Sequence, residues 1–353
     1  MRSVQIGARV KRERDRERGP ASARRALAWR QSRSIMRDPT TRRAFGASTT
    51  AAISGGALTR IGLLISVTLA GMAQAVAAEP HEPLHFTVNL RGDFAGAASA
   101  GFNLADVSTL STLRALPQGM KGVYWLGNGY KGNKGGCWWQ LSDRQITDTV
   151  MAIKDNPKFS GIYYIADEPH PALCPDAPQR LAERTALIHS LDPRGQTFVV
   201  VLNSSTAPTE FAQMKDAADY IGIDPYPCNV RNELTGCTYA ALRQRIDQAL
   251  EAGIPSTRIV PVFQTFGQVC TSSGRNYSPY YRLPTVAETE MMLAIWDEKV
   301  PAKERPFDMA YSWGKQPTLA CPTLQMADGG SHPDLRSFYK NYFARMKAAT
   351  PPH

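Results

Sequence analysis

The 353-residue sequence contains no C-x-x-C, no H-x-H and no H-E-x-x-H. Its six cysteines and six histidines fall at no zinc-ligand spacing, so neither a structural metal nor a cofactor is expected. It also lacks a phosphate-binding glycine loop, a G-x-S-x-G elbow and a glycine-rich dinucleotide fingerprint after its first strand. Those absences argue against phosphoryl transfer, serine hydrolysis and a doubly wound nucleotide-binding sheet. No apolar run approaches the about 20 residues of a bilayer span, and no stretch past residue 78 has the composition of an interdomain linker.

What is present begins with a leader. Residues 2–43 are arginine-rich and poor in apolar side chains. They run into Thr41-Arg42-Arg43-Ala44-Phe45, an apolar stretch over 61–76 and the small-residue end Ala75-Val76-Ala77-Ala78. A charged segment, a short apolar segment and an A-x-A site together read as an export signal, and the arginine pair matches the twin-arginine pattern. Residues 1–78 are therefore expected to be a leader, with Met36 a candidate initiator, and 79–353 to be one mature domain. The export machinery is then a partner, and the mature chain is periplasmic or secreted. The leader carries 15 basic and 4 acidic side chains, whereas the remainder carries 26 and 27. The net charge of +10 thus belongs to the leader, and no basic surface for nucleic acid or an anionic membrane is expected on the mature protein.

From residue 84 onward short apolar runs alternate with amphipathic stretches. Strands are expected over 85–90, 101–107, 122–126, 161–167, 197–202, 220–227, 258–264 and 308–313. Helices are expected over 108–116, 143–154, 176–190, 211–218, 239–252, 286–296 and 335–346. Eight strands alternating with helices in a domain near the ~250 residues typical of the fold predict an α/β protein, a single (β/α)8 (TIM) barrel. Residues 91–120 are crowded; without the second strand the barrel would be open and seven-stranded.

The organising stretch is Gly161-Ile162-Tyr163-Tyr164-Ile165-Ala166-Asp167-Glu168-Pro169, where a strand runs into two carboxylates and a proline stops it. In a barrel the C-terminal strand ends share one mouth, where the chemistry sits. The other candidates there are Asn89, Arg91, Asp93, Asp106, Trp125, Asn128, Asn203, Asp224, Tyr226, Gln264 and Trp313. Carboxylates, amides and aromatic rings together suit a carbohydrate, with rings stacking on sugar faces and amides and acids binding hydroxyls.

Asp167-Glu168-Pro169 resembles the Asn-Glu-Pro that ends strand four in clan A retaining glycoside hydrolases. Gly101-Phe102-Asn103, Asp224-Pro225-Tyr226 and Trp313 are similar to the same clan at strands two, six and eight. The resemblance implies Glu168 as general acid/base. The clan's nucleophilic glutamate ends strand seven, where this chain has Gln264, which cannot form a glycosyl ester. Asp224 is the expected substitute, followed by Asp167 and Asp93. Adjacent side chains on an extended strand diverge, so Asp167 is assigned a supporting role, raising the pKa of Glu168 as a like charge.

The cysteines, 137, 174, 228, 237, 270 and 321, all lie past the leader, as disulfides in an oxidising compartment would. All six fall on loops of the mouth. Six cysteines allow fifteen pairings, and pairing neighbours (Cys228 with Cys237 across one loop, Cys137 with Cys174 and Cys270 with Cys321 between adjacent loops) would staple the rim. The expected function is a glycoside hydrolase-like protein using paired carboxylates. The alternatives are a non-catalytic carbohydrate-binding barrel, for which Gln264 argues, and a structural envelope protein with a plugged mouth.

Overall fold

The computed structural model of the chain describes residues 82–133, 136–202, 209–232, 236–271 and 279–349; the expected leader and Asn203 lie outside them. Eight parallel strands close into a barrel in sequence order: β1 (His85–Thr87), β2 (Leu104–Val107), β3 (Lys121–Trp125), β4 (Phe159–Asp167), β5 (Gln196–Val201), β6 (Tyr220–Ile223), β7 (Ile259–Gln264) and β8 (Asp308–Tyr311). Each is followed by a helix: α1 (Phe94–Ser99), α2 (Leu110–Ala115), α3 (Asp143–Ile153), α4 (Ala177–Leu191), α5 (Glu210–Met214), α6 (Tyr239–Glu251), α7 (Val286–Lys299) and α8 (Leu335–Ala349). This is the (β/α)8 barrel expected from the alternation. No helix among the described residues is long and apolar enough to cross a membrane.

Strands buried on both faces can be almost wholly apolar, and here alternation assigns each residue to one of two cores. In β5, Phe198 and Val200 point into the barrel with Phe86, Val123, Tyr164, Val260, Val262 and Met309. Val199 and Val201 point outward to the layer shared with the helices, which includes Leu181, Ile188, Ile246 and Trp296. At about 25 cal/mol per Å² of apolar surface, two such layers supply the main stabilising term. The helices start where side chains satisfy their first amides. Ser142 with Gln145 and Thr285 with Glu288 each form a reciprocal capping box, at α3 and α7. Gly253, at φ 87°, lies just past the end of α6, where an L side chain would be strained.

The ring closes where the first and last strands meet. His85 pairs in register with Asp308, its Nδ1 lies 2.9 and 3.1 Å from the Asp308 carboxylate oxygens, and its ring stacks on Phe343 of α8 at 3.7 Å.

Three local features differ from the sequence reading. β1 stops at Thr87, because Asn89 (φ 64°) and Arg91 (φ 48°) turn the chain left-handed before a helix, α1, that the crowded stretch hid. β2 starts only at Leu104, since Gly101 at φ 95° ends the preceding turn. The loop after β3 holds an antiparallel hairpin, Tyr130–Asn133 with Gly136–Trp139. The disulfides are Cys137–Cys174, Cys228–Cys237 and Cys270–Cys321, as expected for neighbouring loops.

Candidate active site

The top layer of inward-pointing residues at the C-terminal strand ends follows from the same alternation. In β6, Tyr220, Gly222 and Asp224 face inward while Ile221 and Ile223 face the helices. Gly222 has to lack a side chain: a Cβ there would meet the Phe198 ring and Val200 at 2.8–2.9 Å. In β7 the inward series is Val260, Val262 and Gln264, and in β8 it is Met309 and Tyr311.

β4 breaks the pattern in a way that matters. Tyr164 pairs with Phe198, but Ala166 pairs with Val199 and Asp167 with Val200, so one extra residue is inserted near Ile165. Without that bulge Asp167 would share the outward face of Tyr163 and Ile165. With it, Asp167 faces inward beside Tyr164, whose hydroxyl donates to its carboxylate at 2.8 Å. Glu168 then leaves the strand at φ 46°, its amide donating to the Val200 carbonyl at 3.0 Å. A glutamate in this left-handed region is strained, and such strain gathers at functional sites. Because the backbone is not extended there, the two carboxyls do not diverge as expected from adjacency. Both act on Asp224.

Asp224 is buried, and its carboxyl is hydrogen-bonded to that of Glu168. Burial first, then the Glu168 carboxyl, then Asp167 hold Asp224 well above the ordinary carboxylate range. Burial also raises Asp167, offset in part by the Tyr164 hydroxyl and reinforced by Glu168. Tyr164, Tyr226, Tyr281 and Tyr311 surround the three acids. Burial raises all four phenols, with the acids adding to it, and Tyr281 is pushed up to about 12. Every phenol is thus neutral and able to donate.

The other expected ligands divide. Trp125 is half-buried, its ring edge-on to Tyr164 at 4.5 Å, and Tyr226 is half-buried, stacked on Tyr311 at 6.0 Å. Asn128 is exposed on the loop after β3. Asp93 caps α1 and accepts from Trp313 Nε1 at 3.0 Å and Gln325 Nε2 at 2.8 Å. Two expectations need correcting. Trp313 is fully buried against Phe102 and offers no face to a ligand. Gln264 is also fully buried and spends its amide on the backbone. Its Oε1 accepts from Cys228 N, and its Nε2 donates to the carbonyls of Cys228 and Arg282, at 2.8, 2.8 and 2.9 Å. It clamps the loops after β6 and β7, and a carboxylate could not make the two donations.

Tyr164, Tyr281 and Tyr311 were absent from the expected site. The alternation from Ile162 and Met309 places Tyr164 and Tyr311 inward and could have found them; Tyr281 lies on an irregular loop with no such signal. Among the described residues, Cys228, Cys237 and Glu288 are close enough together to suggest a metal, but both sulfurs are consumed in a disulfide and Glu288 pairs with Arg282.

The closed eight-stranded parallel barrel is a fold also found in solved glycoside hydrolases. Among solved structures the chain is similar to Ruminococcus gnavus beta-glucuronidase, at 12% identity and a TM-score of 0.50, covering 74% of this chain and 50% of that one. It is likewise similar to Lactobacillus rhamnosus beta-glucuronidase, at 14% identity and a TM-score of 0.50, covering 74% and 50%. The likeness is one of fold, and the chain spans about half the length of those enzymes. No protein-family model matches the chain, and no curated protein matches its sequence.

Proposed function

We propose that this protein is an exported enzyme that cleaves a glycan with the carboxyl pair Glu168 and Asp224, Asp167 serving as the third acid. The observation that carries the reading is the hydrogen bond between those two carboxyls at the barrel mouth. Neighbouring carboxyls oppose each other's charge, which favours a shared proton, and a proton donor beside a carboxylate is what glycoside hydrolysis needs. The resemblance at strand four implies Glu168 as the acid, but burial favours the reverse. The deep Asp224, whose charge burial and its neighbours oppose, donates a proton to the leaving oxygen. The half-buried Glu168 attacks the anomeric carbon or activates a water.

The test uses aryl glycosides of graded leaving-group quality. Asp224→Asn should retain turnover of dinitrophenyl glycosides, which need no acid, while losing those with poor leaving groups; Glu168→Gln should lose both. The opposite pattern would return the acid to Glu168, and full turnover by Glu168→Gln would end the reading. The contact between the carboxyls and the loss of a strand-seven carboxylate favour a second reading, a carbohydrate-binding barrel without turnover. It predicts binding of glycans with none of them cleaved. Export rests on residues 1–78: a mature N-terminus at Glu79 in the periplasm or medium is the expected outcome.

A further inference from the structure

A concavity is lined in part by Trp125, whose ring contacts Tyr164 of the carboxyl site at 4.5 Å. It has a volume of about 580 Å³, is lined by residues of the β1–α1 and β2–α2 connections, and includes Asn89, Arg91, Asp106, Ser108 and Trp125. That volume is within the about 300–1,000 Å³ of small-molecule sites. Its two charged groups differ in kind. Asp106 is turned inward, and its two oxygens accept from the backbone amides of Asn89 and Leu90 at 3.0 and 3.4 Å, holding the left-handed turn in place. Arg91 stands on that turn at φ 48°, exposed at the wall, with no ion pair or hydrogen bond among the described residues. The turn therefore presents a rigidly mounted cation with five unused donors.

We propose that this cleft is a subsite for a sugar residue bearing an acidic group, a uronic-acid carboxylate or a sulfate ester. This rests on the glycan reading above. Arg91 receives the anion through its planar fork, which matches carboxylate and sulfate oxygens two at a time. Trp125, whose ring bridges the cleft and Tyr164, packs on the sugar, and Asn89 and Ser108 meet hydroxyls. Electrostatics support the assignment. An acidic sugar placed directly at Asp167, Glu168 and Asp224 would be repelled. One flank away, with Arg91 beside it, its charge is compensated while the neighbouring residue of the chain reaches the acids.

The experiment measures binding to the full chain carrying Glu168→Gln, so that turnover is not involved. The probes are D-glucuronate, D-glucose 6-sulfate and D-glucose, titrated by calorimetry or ligand-observed NMR at low and high salt. At least one acidic probe should bind tenfold or more tighter than glucose, the advantage should shrink with salt, and a further Arg91→Gln change should abolish it. Arg91→Lys should restore part of it, since a point charge attracts the anion without the fork. Preference for glucuronate alone identifies a carboxylate ligand, and preference for the sulfate alone a sulfate ester. Equal binding of acidic and neutral sugars, no binding of either acidic probe, or a preference unmoved by Arg91→Gln would overturn the proposal. An acidic-sugar preference in a wild-type protein that cleaves no glycan would instead sink the enzyme reading and leave this subsite standing.

Discussion

At the scale of single residues, the site is a stored conflict. Asp224 sits where burial and two neighbouring acids oppose its charge. Its folded pKa lies above the unfolded value of 3.8, so the folded state binds the proton more tightly. That stabilisation is complete below about pH 4 and is lost as pH rises through the folded value, at up to about 1.4 kcal/mol per pH unit. Asp224→Asn removes the group, and the expected outcome is a variant whose advantage over the parent, read from urea midpoints, grows with pH. A constant difference across pH 4 to 8 would show that Asp224 does not hold its proton. Glu168 and Asp224 were legible in the sequence because each ends a short apolar run with an acid. The structural parts of Gln264 and Trp313 were not, because a strand end looks the same whether its last polar side chain meets solvent or neighbouring backbone.

At the scale of elements, the decisive feature is one inserted residue in β4. Alternation gives the facing of Ile162 and Tyr164 correctly but cannot reveal a bulge, since the residues around Ile165 are as apolar as the rest of the run. The same blindness hid α1: Phe94–Ser99 is short and rich in small residues, and Asp93 both caps it and binds Trp313. The bulge is supported from outside by Gly129, at φ 75°, on the loop after β3. A Cβ there would lie 2.4 Å from Ala166 Cβ and 2.7 Å from the Ile165 carbonyl. Gly129→Ala is therefore expected to cost about 2 kcal/mol or more, from overpacking and left-handed strain together. It should also weaken catalysis by displacing Asp167 and Glu168. Unchanged stability and unchanged turnover would show that this close approach does not set the strand end.

At the scale of the whole molecule, eight alternating strands made the barrel legible, and loop neighbourhood made the disulfide pairing legible. Cys270–Cys321, at a sequence separation of 51, ties the loops after β7 and β8, while Cys137–Cys174 ties the hairpin to the loop after β4. In the chain-entropy account a loop of that length is worth about 4 kcal/mol. Replacing Cys270 and Cys321 by serine should lower stability by about 2–4 kcal/mol in urea unfolding. The far-ultraviolet circular dichroism should be retained, because the barrel core does not depend on the bridge. Loss of the folded spectrum would show that the bridge carries the fold itself.

The meeting of His85 with Asp308 has a consequence for how the chain is made. Partners 223 residues apart in sequence must find each other before the ring exists. While the chain emerges from the ribosome, β1 carries an unpaired edge on one side until Asp308–Tyr311 appears, so closure belongs to the last stage of synthesis. The proposed export as folded cargo would then act on a completed chain, and chaperones would have to shield that waiting edge in the meantime.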